Sequence, residues 1–239
     1  MPAILRLITF IVVGWLLMAG SVKAQKIEFE RHSLEAGLSH PTVHCIMQDK
    51  QGFIWLGTQD GLNRWDGYSF KSYKHINDVT SISHGCVWAL HQDKKGRIWV
   101  GNELGLNLFE PATETFKVYH MVLSGQDSSK AGVRTIAETE SGLLLIGTAG
   151  DGLLSFDPDT KTFQRFIGNT QSANPINIFA LCTGRNENLW VGSDEGLVEV
   201  NLVSRKVNQY RHNQHDQKSL SNDFVTAVYI DMHGQVWIG

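Results

Sequence analysis

Gly52-Phe-Ile-Trp55-Leu-Gly57 decides the fold, because the same six positions return four more times. They read Gly96-Arg-Ile-Trp99-Val-Gly101, Gly142-Leu-Leu-Leu145-Ile-Gly147, Glu187-Asn-Leu-Trp190-Val-Gly192 and Gly234-Gln-Val-Trp237-Ile-Gly239. Successive second glycines stand 44, 46, 45 and 47 residues apart. A Gly-Leu pair follows each complete copy, at Gly61, Gly105, Gly152 and Gly196. Next come an apolar residue (Trp65, Phe109, Phe156, Val200) and a closing pair (Phe70/Tyr73, Phe116/Tyr119, Phe163/Phe166, Val207/Tyr210). Such a fixed register marks a repeat architecture.

One period reads as four short strands. Val43 to Gln48 is the first, and Asp49-Lys-Gln-Gly52 turns the chain into the strand that carries Trp55. The same turn recurs as Asp93-Lys-Lys-Gly96, Thr139-Glu-Ser-Gly142 and Asp231-Met-His-Gly234, with Asp49, Asp93 and Asp231 as turn caps. The fourth copy departs, with Glu187 between Asn186 and Asn188: its turn is reshaped, or an Asn takes the left-handed conformation. Four strands in roughly 45 residues make the blade of a propeller. The expected fold is therefore all-β, a β-propeller of four-stranded antiparallel blades forming an incomplete ring. Full blades fall at residues 38–81, 82–127, 128–173 and 174–219, with a partial blade at 220–239. The repeated tryptophan reads as an inter-blade packing residue, since a lone small sheet must bury its faces against neighbours. A sugar-stacking platform is the alternative.

Upstream of the repeats, Arg6 precedes a twelve-residue apolar run, Leu7 to Met18, and then Ala19-Gly-Ser-Val-Lys-Ala24. A basic start, a short apolar stretch and small residues before Val-x-Ala predict a cleaved signal peptide at 1–24 and a mature chain that starts at Gln25 outside the cytoplasm. The run is shorter than the ~20 residues of a spanning helix. Net charge is −3 and the basic residues are dispersed, which excludes an obvious nucleic-acid surface. Three widely spaced cysteines, Cys45, Cys86 and Cys182, read as small apolar residues rather than as a disulfide framework or zinc site.

No catalytic motif, cofactor loop or kinase signature stands out, so no catalytic residue, cofactor or metal is assigned. His212 and His215 have metal-like spacing, yet Tyr73-Lys-His75 opens the same inter-blade loop without a second His, so a polar loop is favoured. Asp157-Pro-Asp159 reads as an ordinary turn. One column draws interest. In the first strands, Val43, Val87, Val133, Ile178 and Val225 share one position, and Cys45, Ala89, Thr135, Ala180 and Ala227 another. Between them the residue changes every time: His44, Trp88, Arg134, Phe179, Thr226. Alternation puts that column on the other face of the strand. Uniform neighbours around a variable column suggest a ligand surface at His44, Trp88, Arg134 and Phe179, with inter-blade filler as the alternative.

The stretch Leu38-Ser-His-Pro-Thr-Val43 through Trp55-Leu-Gly57 to Asp66-Gly67 resembles the two-component regulator propeller repeat. The lead-in Phe29 to Gly37 looks like the strand that opens such sensors. Leu145 for Trp, the extra residue before Gly152 and Glu187 for Gly depart from the pattern. The resemblance implies the periplasmic, ligand-sensing part of a hybrid two-component histidine kinase, recognising a carbohydrate and signalling across the membrane as a homodimer. It implies a longer parent in the inner membrane, of which this chain is an N-terminal fragment. The partners are then an oligosaccharide and the rest of the receptor chain, with membrane contact only through the missing C-terminal part. A secreted glycan lyase or glycosidase, and a ligand-free scaffold, are the alternatives.

Overall fold

The computed structural model describes residues 28–29, 33–122, 131–166, 176–184 and 187–239. The expected signal peptide at 1–24 lies outside them. From Ser33 onward the described residues belong to one compact unit, His32–Gly239. After a 3₁₀ turn at Leu34–Ala36, every later element among the described residues is a strand.

The first sheet takes β1 (Val43–Gln48), β2 (Ile54–Thr58), β3 (Gly61–Trp65) and β4 (Phe70–Tyr73), in that order and antiparallel. The second takes β5 (Val87–Gln92), β6 (Ile98–Asn102), β7 (Gly105–Glu110) and β8 (Thr115–Tyr119) in the same way. The third is built from β9 (Val133–Glu138), β10 (Leu144–Gly150), β11 (Leu153–Asp157) and β12 (Thr162–Arg165). The fourth is built from β13 (Ile176–Thr183), β14 (Asn188–Ser193), β15 (Gly196–Asn201) and β16 (Val207–Tyr210). A two-stranded piece, β17 (Val228–Ile230) with β18 (Val236–Ile238), follows.

The first strands stand side by side in chain order, β1 against β5, β5 against β9, β9 against β13 and β13 against β17. Among the described residues the sheets do not close into a ring. This is an open β-propeller. One joint differs: the extra residue of the third repeat lengthens β10, and its end pairs with β13 through Ala149–Asn177 and Gly150–Ile176.

The β1–β2 turn is built as its residues demand. Gly52 N–H closes it on the Asp49 carbonyl at 3.0 Å, and Gly52 has φ 95°. Gly96, Gly142 and Gly234 repeat that left-handed conformation, which costs glycine nothing. In the fourth copy Glu187 itself adopts the left-handed φ of 58°, and Asn188 does not; Asn186 lies outside the described residues.

The repeat's second glycine sits under the next blade. A Cβ at Gly57 would lie 2.6 Å from Val87 Cγ1, and one at Gly147 would lie 2.6 Å from Ile178 Cγ2. Gly101 with Val133 and Gly192 with Val225 repeat the contact, with 2.9 Å to Val133 Cβ and to Val225 Cγ1. Only a residue without a side chain lets neighbouring first and second strands approach this closely. Val87 and Val133 are fully buried by it, whereas Val43, which meets no such glycine, is 40% exposed.

Candidate functional site

Two columns of side chains run through the repeat, one constant and one variable. In the constant column, Trp55 and Trp99 are 1% exposed. Each indole meets an aromatic of the next blade edge-on, Trp55 with Phe109 at 5.0 Å and Trp99 with Phe156 at 5.5 Å. Each lies beside its own closing tyrosine, Tyr73 or Tyr119. The inter-blade packing role is therefore seen directly. Leu145 takes the third place in the same manner, packed with Val200 of the fourth blade. Trp237, in β18, is 59% exposed.

The turn aspartates do more than cap. Asp49 accepts the N–H groups of Gln51 and Phe53 at one oxygen, and its other oxygen accepts the Trp55 indole N–H at 2.8 Å. Asp93 accepts from Trp99 at 2.9 Å, and Asp231 from Trp237 at 3.0 Å. Burial alone would raise the Asp93 carboxyl, but the Trp99 indole, the Arg97 N–H and the Arg97 guanidinium outweigh it and hold it below the usual carboxylate value. Three of the column's four tryptophans have this aspartate six residues earlier; Trp190 has Gly184 there, and Leu145 has Thr139. In those three blades the bond is visible in the sequence as a spacing of six.

The variable column is not on a regular pleat. Val43 pairs with Thr58 and Cys45 with Gly57, leaving His44 as an extra residue between two adjacent partners. Trp88, Arg134 and Phe179 hold the same place in their strands. At the fifth copy the N–H groups of Thr226 and Ala227 both donate to the Gly239 carbonyl, at 2.7 and 3.0 Å. Each blade thus carries a β-bulge at the variable residue, so simple alternation does not fix its side. A bulge releases one residue from the ladder and re-aims its side chain, which is why the position tolerates His, Trp, Arg, Phe and Thr.

Three of these side chains come together. The His44 ring stacks on Trp88 with centroids 4.0 Å apart, and the Arg134 guanidinium lies 4.0 Å from the Trp88 ring centre. The indole N–H of Trp88 donates to Glu103 at 2.8 Å, and the same carboxylate oxygen is 3.8 Å from Arg134. His44 bonds Gln59 at 2.9 Å. Gln59 and Glu103 occupy one position of the β2–β3 and β6–β7 turns, a second contributing column that the sequence reading did not single out. Phe179 instead packs against Phe224 at 4.8 Å. All four predicted residues are half-buried.

The family model described as two-component regulator propeller matches residues 37–60, 81–103 and 219–239. The chain carries two-component regulator propeller repeats. A histidine kinase of Formosa agariphila is 45% identical over 76 residues, which is 30% of this chain and 6% of that protein. The extracellular domain of a putative hybrid two-component system from B. thetaiotaomicron superposes with a TM-score of 0.73 at 26% identity. That match covers 88% of this chain and 29% of the other. The extracellular domain of a putative one-component system from B. thetaiotaomicron gives 0.72 at 20% identity, covering 90% and 27%, and speaks to the fold alone. The chain spans less than a third of the length of each of these proteins. It is related to the extracellular domains of two-component sensors.

In these regulator propeller repeats the other marked residues have local roles. His75 and His212, equivalent in their loops, bond the carbonyls of Ile82 and Leu220 at 2.8 and 2.6 Å. Asp157 caps its turn by accepting from Asp159 N–H. The cysteines are free; Cys86 is buried, and burial pushes the Cys45 thiol up to about 12.

Proposed function

We propose that this chain is the ligand-sensing propeller segment of a periplasmic sensor region, working within a longer hybrid two-component histidine kinase. The kinship of its repeats to extracellular sensor domains supports that reading. The ligand is a carbohydrate, an oligosaccharide, and the receptor works as a homodimer through the rest of its chain.

The observation that carries the recognition surface is the bulge repeated at His44, Trp88, Arg134 and Phe179. A scaffold that frees one residue per blade, at one end of neighbouring first strands, holds a set of side chains that can change without cost to the sheets. Arg134, Glu103 and the His44–Gln59 pair offer donors and acceptors suited to sugar hydroxyls.

A second reading, a ligand-free scaffold, draws on the cover that His44 and Arg134 already give the Trp88 ring. Titrating the complete extracellular region with a panel of oligosaccharides separates the two. Saturable binding that weakens in Arg134→Ala and Trp88→Ala supports recognition; an unresponsive panel, or binding indifferent to both substitutions, overturns it.

A further inference from the structure

Two first-strand positions recur at every seam between blades, one on each side of it. Met47 and Gln92 hold them at the first seam, and His91 and Glu138 at the second. Ala137 and Thr183 follow at the third, then Cys182 and Ile230 at the fourth. Only the second seam sets a base against an acid there.

The first two seams are otherwise built alike. At the first, the Gln92 side chain accepts the main-chain N–H of Lys50 at 2.8 Å. At the second, Glu138 Oε2 accepts the main-chain N–H of Lys94 at 2.9 Å. The Lys50 ammonium ends on the carbonyls of Asp93 and Lys94, and the Lys94 ammonium on those of Thr139 and Glu140. A neutral pair has been exchanged for an ionisable one with these ties left in place.

His91 is the anomaly. Its Nε2 is shut off from solvent and has no hydrogen-bond partner among the described residues. Glu138 Oε2, already bonded to Lys94, lies 3.6 Å away, beyond hydrogen-bond reach. The Glu138 side chain is itself only 8% exposed. His91 pairs across the ladder with Trp99, whose indole meets Phe156 of the third blade, so the ring sits on the face turned to that blade.

Glu138 faces the ring from β9, and Asp93 from the turn that ends its own strand. Arg97, leading into β6, bonds Asp93 at 2.6 Å, and the Lys94 ammonium also bonds the Glu140 carboxylate at 2.8 Å. β2 has no ionisable side chain, and β1 has His44 and Cys45 only toward its other end. Burial pushes the imidazole below its ordinary value, outweighing the opposite pull of Glu138 and Asp93.

We propose that His91 and Glu138 make the second seam an acid-sensitive joint, which loosens when the imidazole takes up a proton. The added charge is cut off from solvent and out of reach of an acceptor, so the ring or the carboxylate must move to accommodate it. An opened seam exposes the ring, binds the proton more readily and is favoured as pH falls. The seam is therefore firm above the ordinary histidine value of about 6.5 and weakens as pH falls through the lower folded value. The joint does not rest on the proposed carbohydrate function.

The Lys50 and Lys94 amides are matched reporters of the two seams. Hydrogen exchange on the whole chain, corrected for the intrinsic effect of pH, compares their protection. Between about pH 7.5 and 5.5, Lys94 should lose at least about threefold in protection relative to Lys50. His91→Met with Glu138→Gln copies the first seam and should abolish that loss. His91→Gln alone keeps Glu138 and should do the same, which covers the case in which the double variant fails to fold. The proposal is overturned if the two amides keep a constant ratio across the range, if Lys94 becomes better protected in acid, or if a folded variant keeps the loss.

Discussion

Trp88 and Trp99 belong to neighbouring strands of one blade and have opposite positions in its logic. Trp99 sits in a regular ladder opposite His91 and Leu108, is 1% exposed and bonds a buried aspartate. Trp88 sits on a bulge, half-buried, between a histidine and an arginine from the blades on either side. The first position is tied to a partner residue six places away and to an aromatic in the next blade. The second is tied to nothing the repeat prescribes. The difference shows how a repeat can hold a fixed architecture while one position per blade is left free to vary.

The largest expected effect comes from breaking the constant column. Trp99→Ala removes a packed indole and one of the donors to the buried Asp93 carboxylate, so it should cost ~3–5 kcal/mol. A thermal melt or urea titration checks this, and the loss should exceed that of every substitution in the variable column.

Closing the glycine gap should come next. In Gly101→Ala the new Cβ would meet Val133 Cβ at 2.9 Å, with strands packed on both sides. Overpacking of this kind costs ~1–3 kcal/mol. The same denaturation assay measures it, and Gly52→Ala serves as a contrast, since there the strain is in the backbone angle and no atom lies within 4 Å.

A third effect separates Asp93 from Thr139. The folded protein holds the Asp93 carboxyl below its ordinary value, so its contribution is present above the unfolded-state pKa and is lost as pH falls through the lower folded value. Melting temperature should therefore decline below about pH 4, the ordinary aspartate value. Asp93→Asn should lower stability at neutral pH and flatten that decline, whereas Thr139→Val should leave the acid limb of the curve unchanged.

Much of this was legible in the sequence. The spacing of the glycines and tryptophans was enough for the four-stranded repeat, because each marks a contact between blades that recurs in three dimensions. The variable column was also visible, as variation between two constant positions. What stayed hidden is the bulge, since an extra residue in a strand is a relation between two strands and leaves no mark in one. The bond from Asp to the indole was hidden by sufficiency: capping already accounted for Asp49 and Asp93. Glu103 and Gln59 were missed because they lie in turns, fifteen residues from the side chains they hold.

The smallest stability effect belongs to Trp88. Its truncation removes one stacking contact, one cation–π contact and the bond to Glu103 on a half-buried ring, about 1–2 kcal/mol in all. A melt that shifts by much less for Trp88→Ala than for Trp99→Ala sharpens the contrast between the columns.

The most direct test of the central claim, that the bulge column recognises and the tryptophan column supports, measures affinity and melting on the same pair of variants. In the complete extracellular region, calorimetry with a bound oligosaccharide should show Trp88→Ala weakened by about tenfold or more while its melt stays near wild type. Trp99→Ala should melt early and, where folded, bind normally. If Trp88→Ala melts as early as Trp99→Ala and keeps its full affinity, the bulge column is packing and the recognition surface lies elsewhere.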